Sequence, residues 1–141
     1  MLIGRITSIS RITSINSWVF GGCRSLTSIT IPNSVTTIEA NAFNGCASLT
    51  SITIPNKVTS IGNKAFYGCS SLSSVSIGTA VSSIGNLAFE GCSNLNFVTI
   101  NSNSIVSATY DTSSNISGIF GSQVTKYVIG DSVNGIGSYA F

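Results

Sequence analysis

A repeat solenoid, a stack of short coils carrying parallel strands, is the fold class the sequence predicts, and three observations predict it. Cys23, Cys46, Cys69 and Cys92 are separated by one constant interval. Each is followed by the same run of apolar side chains: Leu26, Ile29, Ile31, Val35, Ile38, Ala42 and Phe43, then Leu49, Ile52, Ile54, Val58, Ile61, Ala65 and Phe66, then Leu72, Val75, Ile77, Val81, Ile84, Ala88 and Phe89. A unit this short leaves both flat faces open to water, so its apolar residues are buried only when neighbouring coils stack on it.

In chain order, residues 1–22 read as a diverged coil. Counting back by the same interval, Ile3, Ile6, Ile12, Ile15, Val19 and Phe20 take the places of Leu26, Ile29, Val35, Ile38, Ala42 and Phe43, while Trp18 replaces Asn41. Residues 23–45, 46–68 and 69–91 are regular coils. In each, Leu-x-x-Ile-x-Ile ends in alternating β-type residues, which predicts strands over 26–31, 49–54 and 72–77. Pro32-Asn33, Pro55-Asn56 and Gly78-Thr79 then turn the chain. Val35 and Ile38 and their equivalents point inward on a return segment expected to be extended and to end in one helical or 3₁₀ turn. Gly45, Gly68 and Gly91 permit the sharp turn into the next Cys.

The pattern holds through Leu95, Val98 and Ile100 and then lapses into a Ser- and Asn-rich stretch over 101–123, anchored by Ile105, Val106, Tyr110, Ile116, Ile119 and Phe120. It returns at Val124, Tyr127, Ile129, Val133, Ile136, Ala140 and Phe141, all displaced by one fixed offset from Leu49, Ile52, Ile54, Val58, Ile61, Ala65 and Phe66. Residues 92–120 are therefore a long coil and 121–141 a truncated one, all within a single domain spanning 1–141.

Composition excludes several functional classes. Only 7% of residues are charged, and the six Lys and Arg are scattered for a net charge of +2, which gives no basic face for nucleic acid. Ser, Thr, Asn or Gly interrupts the apolar residues every few positions, so no segment can span a bilayer. The opening MLIGRITSISRITSI lacks the apolar core and cleavage site of a signal peptide and already carries repeat pattern. The sequence is thus expected to be a piece of a longer protein whose export signal lies outside it.

The unit Leu-x-x-Ile-x-Ile-Pro-x-x-Val-x-x-Ile-x-x-x-Ala-Phe-x-Gly-Cys, read from Leu49 to Cys69, resembles the leucine-rich repeat of BspA-like surface proteins. The likeness covers nearly the whole chain. Where the generic leucine-rich repeat has Asn after its strand, this chain has Ser34, Lys57 or Ala80, so no asparagine ladder is expected. The resemblance implies a right-handed leucine-rich solenoid of five to six coils, with a parallel sheet on the concave face and short 3₁₀ or helical turns and extended segments on the convex one. It also implies a cell-surface or secreted module that adheres to host matrix proteins, host cells or other microbes, without catalytic residues or cofactors. A glycan-binding module and a spacer within a larger surface protein are the alternative roles.

Candidate sites are few. Thiols stacked in a line, about 4.7–4.9 Å apart, neither converge on a metal nor face each other for disulfides, so the four Cys are expected to be reduced and buried. There is no His, and Glu39, Glu90, Asp111 and Asp131 lie in different coils without paired spacing, so no acid–base pair is expected. The outward strand columns read Arg5, Ser28, Ser51, Ser74, Phe97, Lys126 and Thr7, Thr30, Thr53, Ser76, Thr99, Val128. Such hydroxyl columns suggest ice binding, but a curved sheet spoils the required flatness. Asn115-Ile116-Ser117 is a glycosylation sequon, meaningful only in a eukaryotic secreted protein. The small hydroxyls give way only near the C-terminal end, where Phe97, Lys126 and Val128, with Tyr110 and Asp111, form the expected binding patch. The alternative is a longer loop that merely closes its coil. Leu2, Ile3 and Phe141 leave apolar end coils, from which end-to-end self-association of the fragment is expected.

Overall fold

In the computed structural model, residues 11–108 and 114–141 are described, and they form a stack of parallel coils. The first-coil positions Leu2, Ile3, Arg5, Ile6 and Thr7, and the positions of Tyr110 and Asp111, lie outside the described residues. The main sheet has the order β3 (Ser51–Thr53), β5 (Ser74–Ile77), β7 (Phe97–Ile100) and β8 (Lys126–Ile129). Every pairing is parallel and follows the repeat, with Ile52 beside Val75, Val75 beside Val98 and Val98 beside Tyr127. The extra length of the long coil is therefore absorbed between β7 and β8 without loss of register.

The return segments are extended, and they do more than link strands. β1 (Ser14–Ile15), β2 (Thr37–Ile38), β4 (Ser60–Ile61) and β6 (Ser83–Ile84) pair side by side as a second parallel sheet. The Ala-Phe-x-Gly turn adds a third ladder: Phe20 N–H bonds to Ala42 O at 2.9 Å, Phe43 N–H to Ala65 O at 2.7 Å and Phe66 N–H to Ala88 O at 2.8 Å. All three lines of axial hydrogen bonds join coils 46–68 and 69–91, and they account for backbone groups that a buried chain cannot leave unpaired.

Within this frame the core is a set of side-chain columns. Phe20, Phe43, Phe66 and Phe89 stack with centroids 5.1, 5.1 and 5.2 Å apart and nearly coplanar rings. Cys46, Cys69 and Cys92 form a buried column beside them, and each thiol donates to the phenylalanine carbonyl of the preceding turn: Cys46 Sγ to Phe20 O, Cys69 Sγ to Phe43 O and Cys92 Sγ to Phe66 O, all at 3.2 Å. Burial pushes the Cys46 thiol up to about 12 from an ordinary value of 9.0. The Cys69 thiol is also pushed up, first by the neighbouring Cys92 thiol and then by burial.

The first expected strand, over 26–31, forms no ladder with β3, although Ile29 and Ile31 are buried. The two coils touch at Thr27 and Thr50, where Thr50 N–H bonds to Thr27 O at 3.3 Å, and rejoin at Thr36 and Thr59. Between these points lies a cleft of ≈ 350 Å³ lined by Ser28, Thr30, Ser51 and Thr53. One coil higher, Gly78 explains the difference. A Cβ there would stand 2.5 Å from Pro55 O and 2.6 Å from Ile54 O, so only a glycine lets β5 settle onto β3. The residue in Gly78's place on the preceding coil is Pro55, which carries that Cβ and has no N–H to donate, so its coil stands off from Ile31 and Pro32.

The long coil departs most from the repeat. Two short helices, α1 (Asn103–Val106) and α2 (Ile116–Phe120), replace the return segment, and among the described residues the second sheet stops at β6. Ser102 is fully buried as the N-cap of α1. Its Oγ accepts from Ile105 N–H and donates to Val81 O of the coil below. Asn115 caps α2 through its Oδ1, which accepts from Gly118 N–H at 2.9 Å. These helices bury Ile105, Val106, Ile116 and Phe120 of the expected anchors. Phe120 lands 5.0 Å above Phe89 and continues the aromatic stack with a tilted ring.

Two outcomes are expected. Gly78→Ala forces β5 off the Pro55 carbonyl and lowers stability by about 1–3 kcal/mol in urea unfolding; an unchanged midpoint contradicts the close approach. With a thiol-specific colorimetric reagent at pH 8, Cys23, which is only half-buried, reacts promptly, while Cys46 and Cys69 react only on unfolding. Because the folded Cys46 pKa lies above its unfolded value, the stability that this thiol contributes is complete below pH 9.0 and declines as pH rises toward about 12.

Candidate functional site

The outer face of the main sheet is built by the alternation of its strands, which sends every second side chain away from the core. On β3 and β5 these are Ser51, Thr53, Ser74 and Ser76. Hydroxyls one position before the strands are consumed by the stack itself: Thr50 Oγ1 donates to Thr27 O, Ser73 Oγ to Thr50 O and Thr125 Oγ1 to Asn96 O. A matching series on the return side runs from Thr36 to Thr13, Thr59 to Thr36 and Ser82 to Thr59. Side-chain-to-backbone bonds of this kind do between coils what an asparagine ladder does elsewhere.

At β7 and β8 the face changes character. Phe97 pairs with Lys126 and Thr99 with Val128, so these side chains are lateral neighbours. Lys126 Nζ sits 5.3 Å from the centroid of the Phe97 ring, a cation–π contact. Phe97 is half-buried beneath it, whereas Lys126 and Val128 are exposed. The structure thus brings together Phe97, Lys126 and Val128 among the expected site residues. Tyr110 and Asp111, the other two, fall outside the described residues.

Two titratable groups, Glu39 and Tyr127, serve the scaffold. Glu39 accepts from Ser17 N–H at 2.9 Å, Ser17 Oγ at 3.0 Å and Ser14 Oγ at 3.3 Å. Its carboxyl is held below the usual value, first by the Ser17 backbone bond and then by the Ser17 hydroxyl. Glu39 thereby clamps its coil to the one before. Tyr127 occupies the place of Ile52, and burial raises its phenol. Among the described residues no group of three His, Cys, Asp or Glu side chains is placed to hold a metal ion, and no helix is long and apolar enough to cross a membrane.

Sequence reasoning missed a second surface feature, because it depends on backbone conformation. One position in the turn has positive φ without being glycine: Trp18 at 61°, Asn41 at 58°, Lys64 at 55°, Leu87 at 57° and Tyr139 at 58°. The left-handed region suits Asn and Gly and is disfavoured for bulky residues by about 1–2 kcal/mol. The stack dictates this conformation, and it recurs whatever residue stands there.

The sequence matches the family model described as the BspA type leucine-rich repeat region in six copies over residues 3–117. No curated protein matches it in sequence. Among solved structures, a leucine-rich repeat protein from Bacteroides ovatus is 31% identical with a TM-score of 0.68, over 84% of this chain and 28% of that one. The Treponema pallidum leucine-rich repeat protein is 28% identical with a TM-score of 0.67, over 85% of this chain and 56% of its own. A leucine-rich cell surface protein from Faecalibacterium prausnitzii is 31% identical with a TM-score of 0.61, over 86% of this chain and 32% of that one. The chain therefore spans between 28% and 56% of the length of these relatives.

The Phe97–Lys126 contact generates one expectation. In a double-mutant cycle of Phe97→Ala and Lys126→Ala, chemical denaturation should give a coupling of about 0.5–1 kcal/mol. Strictly additive effects would mean that the ammonium does not rest on the ring in solution.

Proposed function

The chain belongs to the BspA-type leucine-rich repeat family, and from that premise we propose that it is a non-catalytic binding module, displayed on or secreted from a microbial cell, that adheres to a protein ligand. The observation that carries the reading is the change of surface at β7 and β8. Across β3 and β5 the outer face offers small hydroxyls, which contribute little to a protein interface. At β7 and β8 it offers an aromatic ring capped by a cation, with a branched aliphatic side chain beside it. Aromatic and cationic anchors of this kind dominate interface energies when a partner desolvates them. Tyr110 and Asp111 belong to the proposed site by their place in the long coil. The Faecalibacterium relative, described as a cell surface protein, supports the location.

The test is binding of the purified chain to immobilised fibronectin, laminin and collagen by surface plasmon resonance, with Phe97→Ala and Lys126→Ala alongside. Saturable binding that weakens at least about tenfold in both variants, equivalent to about 1.4 kcal/mol or more, is the expected result. Binding that ignores both substitutions would move the site elsewhere, and no binding at all would leave the chain as a spacer.

A further inference from the structure

The large hydrophobic side chains that remain exposed are concentrated away from the proposed protein site. Among the described residues, only Val128 of these stands on the outer face of the main sheet. Trp18 (59% exposed), Tyr67 (38%), Leu87 (51%) and Tyr139 (63%) all lie along the turns. Except for Tyr67, each occupies the left-handed position, where a bulky residue is disfavoured, so intrinsic conformational preference does not account for their presence.

The turn also arranges its side chains in pairs, the second member three positions after the first. In the third coil, Lys64 Nζ lies 5.5 Å over the ring of Tyr67. In the second, Asn44 Nδ2 donates to Asn41 Oδ1 at 2.8 Å, and both amides stay partly exposed. In the first coil the pair is Trp18 and Gly21. The indole lies against the Gly21 backbone, where any Cβ would collide with its Cε3. The indole is seated on the turn in this way and still remains mostly exposed.

We propose that this turn edge is a second binding surface, which takes an extended β-1,4-linked glycan by stacking sugar rings on Trp18 and Tyr67. The geometry is that of the stack. Trp18 and Tyr67 belong to coils two steps apart, and the rise per step is 5.1 Å, as the Phe20–Phe43 and Phe43–Phe66 separations give it. A β-1,4 glycan forms a ribbon that repeats every two sugars, over a length close to two such steps. Alternate sugars then meet the two rings, and the sugar between them faces the Asn41–Asn44 amide pair. The Trp18 and Tyr67 rings, the amide pair between them and Lys64, whose ammonium covers one face of Tyr67 and leaves the opposite face for the sugar, suit a polyhydroxylated neutral chain. A protein partner fits less well, because the edge is a narrow line of side chains and has no broad centre to desolvate.

Trp18 is the chain's single tryptophan, so its emission reports from this surface alone. The experiment is a fluorescence titration with cellohexaose, xylohexaose and chitohexaose, followed by affinity electrophoresis in gels containing the corresponding soluble polysaccharides. The expected result is a saturable change of emission with at least one hexasaccharide and retardation in the matching gel. Trp18→Ala should abolish the retardation, Tyr67→Ala should weaken it about tenfold or more, and Trp18→Phe should largely keep it. Phe97→Ala should leave it unchanged, which separates this surface from the proposed protein site. Circular dichroism of each variant checks folding, and Trp18→Phe and Tyr67→Ala decide the matter if Trp18→Ala does not fold. No saturable change with any of the three sugars overturns the proposal, as does undiminished retardation of folded Trp18→Ala or Tyr67→Ala.

Discussion

The carbonyls of Phe20, Phe43 and Phe66 each accept two hydrogen bonds, and the stack depends on that doubled role. Phe43 O takes the N–H of Cys46 in its own turn at 3.1 Å and the thiol of Cys69 in the next at 3.2 Å. The first bond closes the turn and the second sets the next coil on top of it. A carbonyl has two lone pairs, and in a buried column both need a partner. Cysteine fits the second place because it is small and apolar enough to be fully buried and still carries a donor. Desolvation contributes to keeping the Cys46 and Cys69 thiols protonated, so the donor persists across the physiological range.

With registry fixed at the turn, other parts of a coil tolerate change. The long coil discards its second-sheet strand and inserts two short helices, yet Phe120 still lies on Phe89 because α2 delivers it there. Beyond it the column changes geometry: Tyr127 meets Phe120 edge-on at 6.4 Å, and Phe141 meets Tyr127 edge-on at 5.2 Å. At the other end, the main-sheet bonds between 28–31 and β3 are missing while the turn ladder and the second sheet continue past the gap. The main sheet and the aromatic column carry the first of these joints, and the turn ladder and second sheet carry the other.

The repeat is readable because stacking imposes a single length on the chain and marks it with large apolar residues. Periodicity alone sends Leu26, Ile38, Phe66 and Leu95 inward, and each is fully buried. The outward columns are legible for the same reason, which is why Phe97, Lys126 and Val128 fall side by side in both readings. The second sheet is hidden in the sequence, since a strand as short as Thr37–Ile38 cannot show alternation. So are α1 and α2, which are well below the length at which helical pattern or propensity is informative. The gap beside Pro55 cannot be inferred from its own coil. Pro32-Asn33 and Pro55-Asn56 look alike, and the difference arises from what lies one coil away. The left-handed turn position is invisible because Trp18, Lys64 and Leu87 carry no mark of it.

The ladders run along the axis of the stack, and this has a mechanical consequence. Tension applied between the two ends of the chain loads the inter-coil bonds in series, so a coil comes away by opening its bonds one after another instead of shearing them together. A folded coil occupies 5.1 Å of axis. Once opened, a regular coil such as 46–68 releases about 80 Å of contour. A molecule held at one end and pulled at the other therefore lengthens in steps, one coil at a time, and yields at modest force while the remaining stack stays folded. Such a stack is extensible along its own axis.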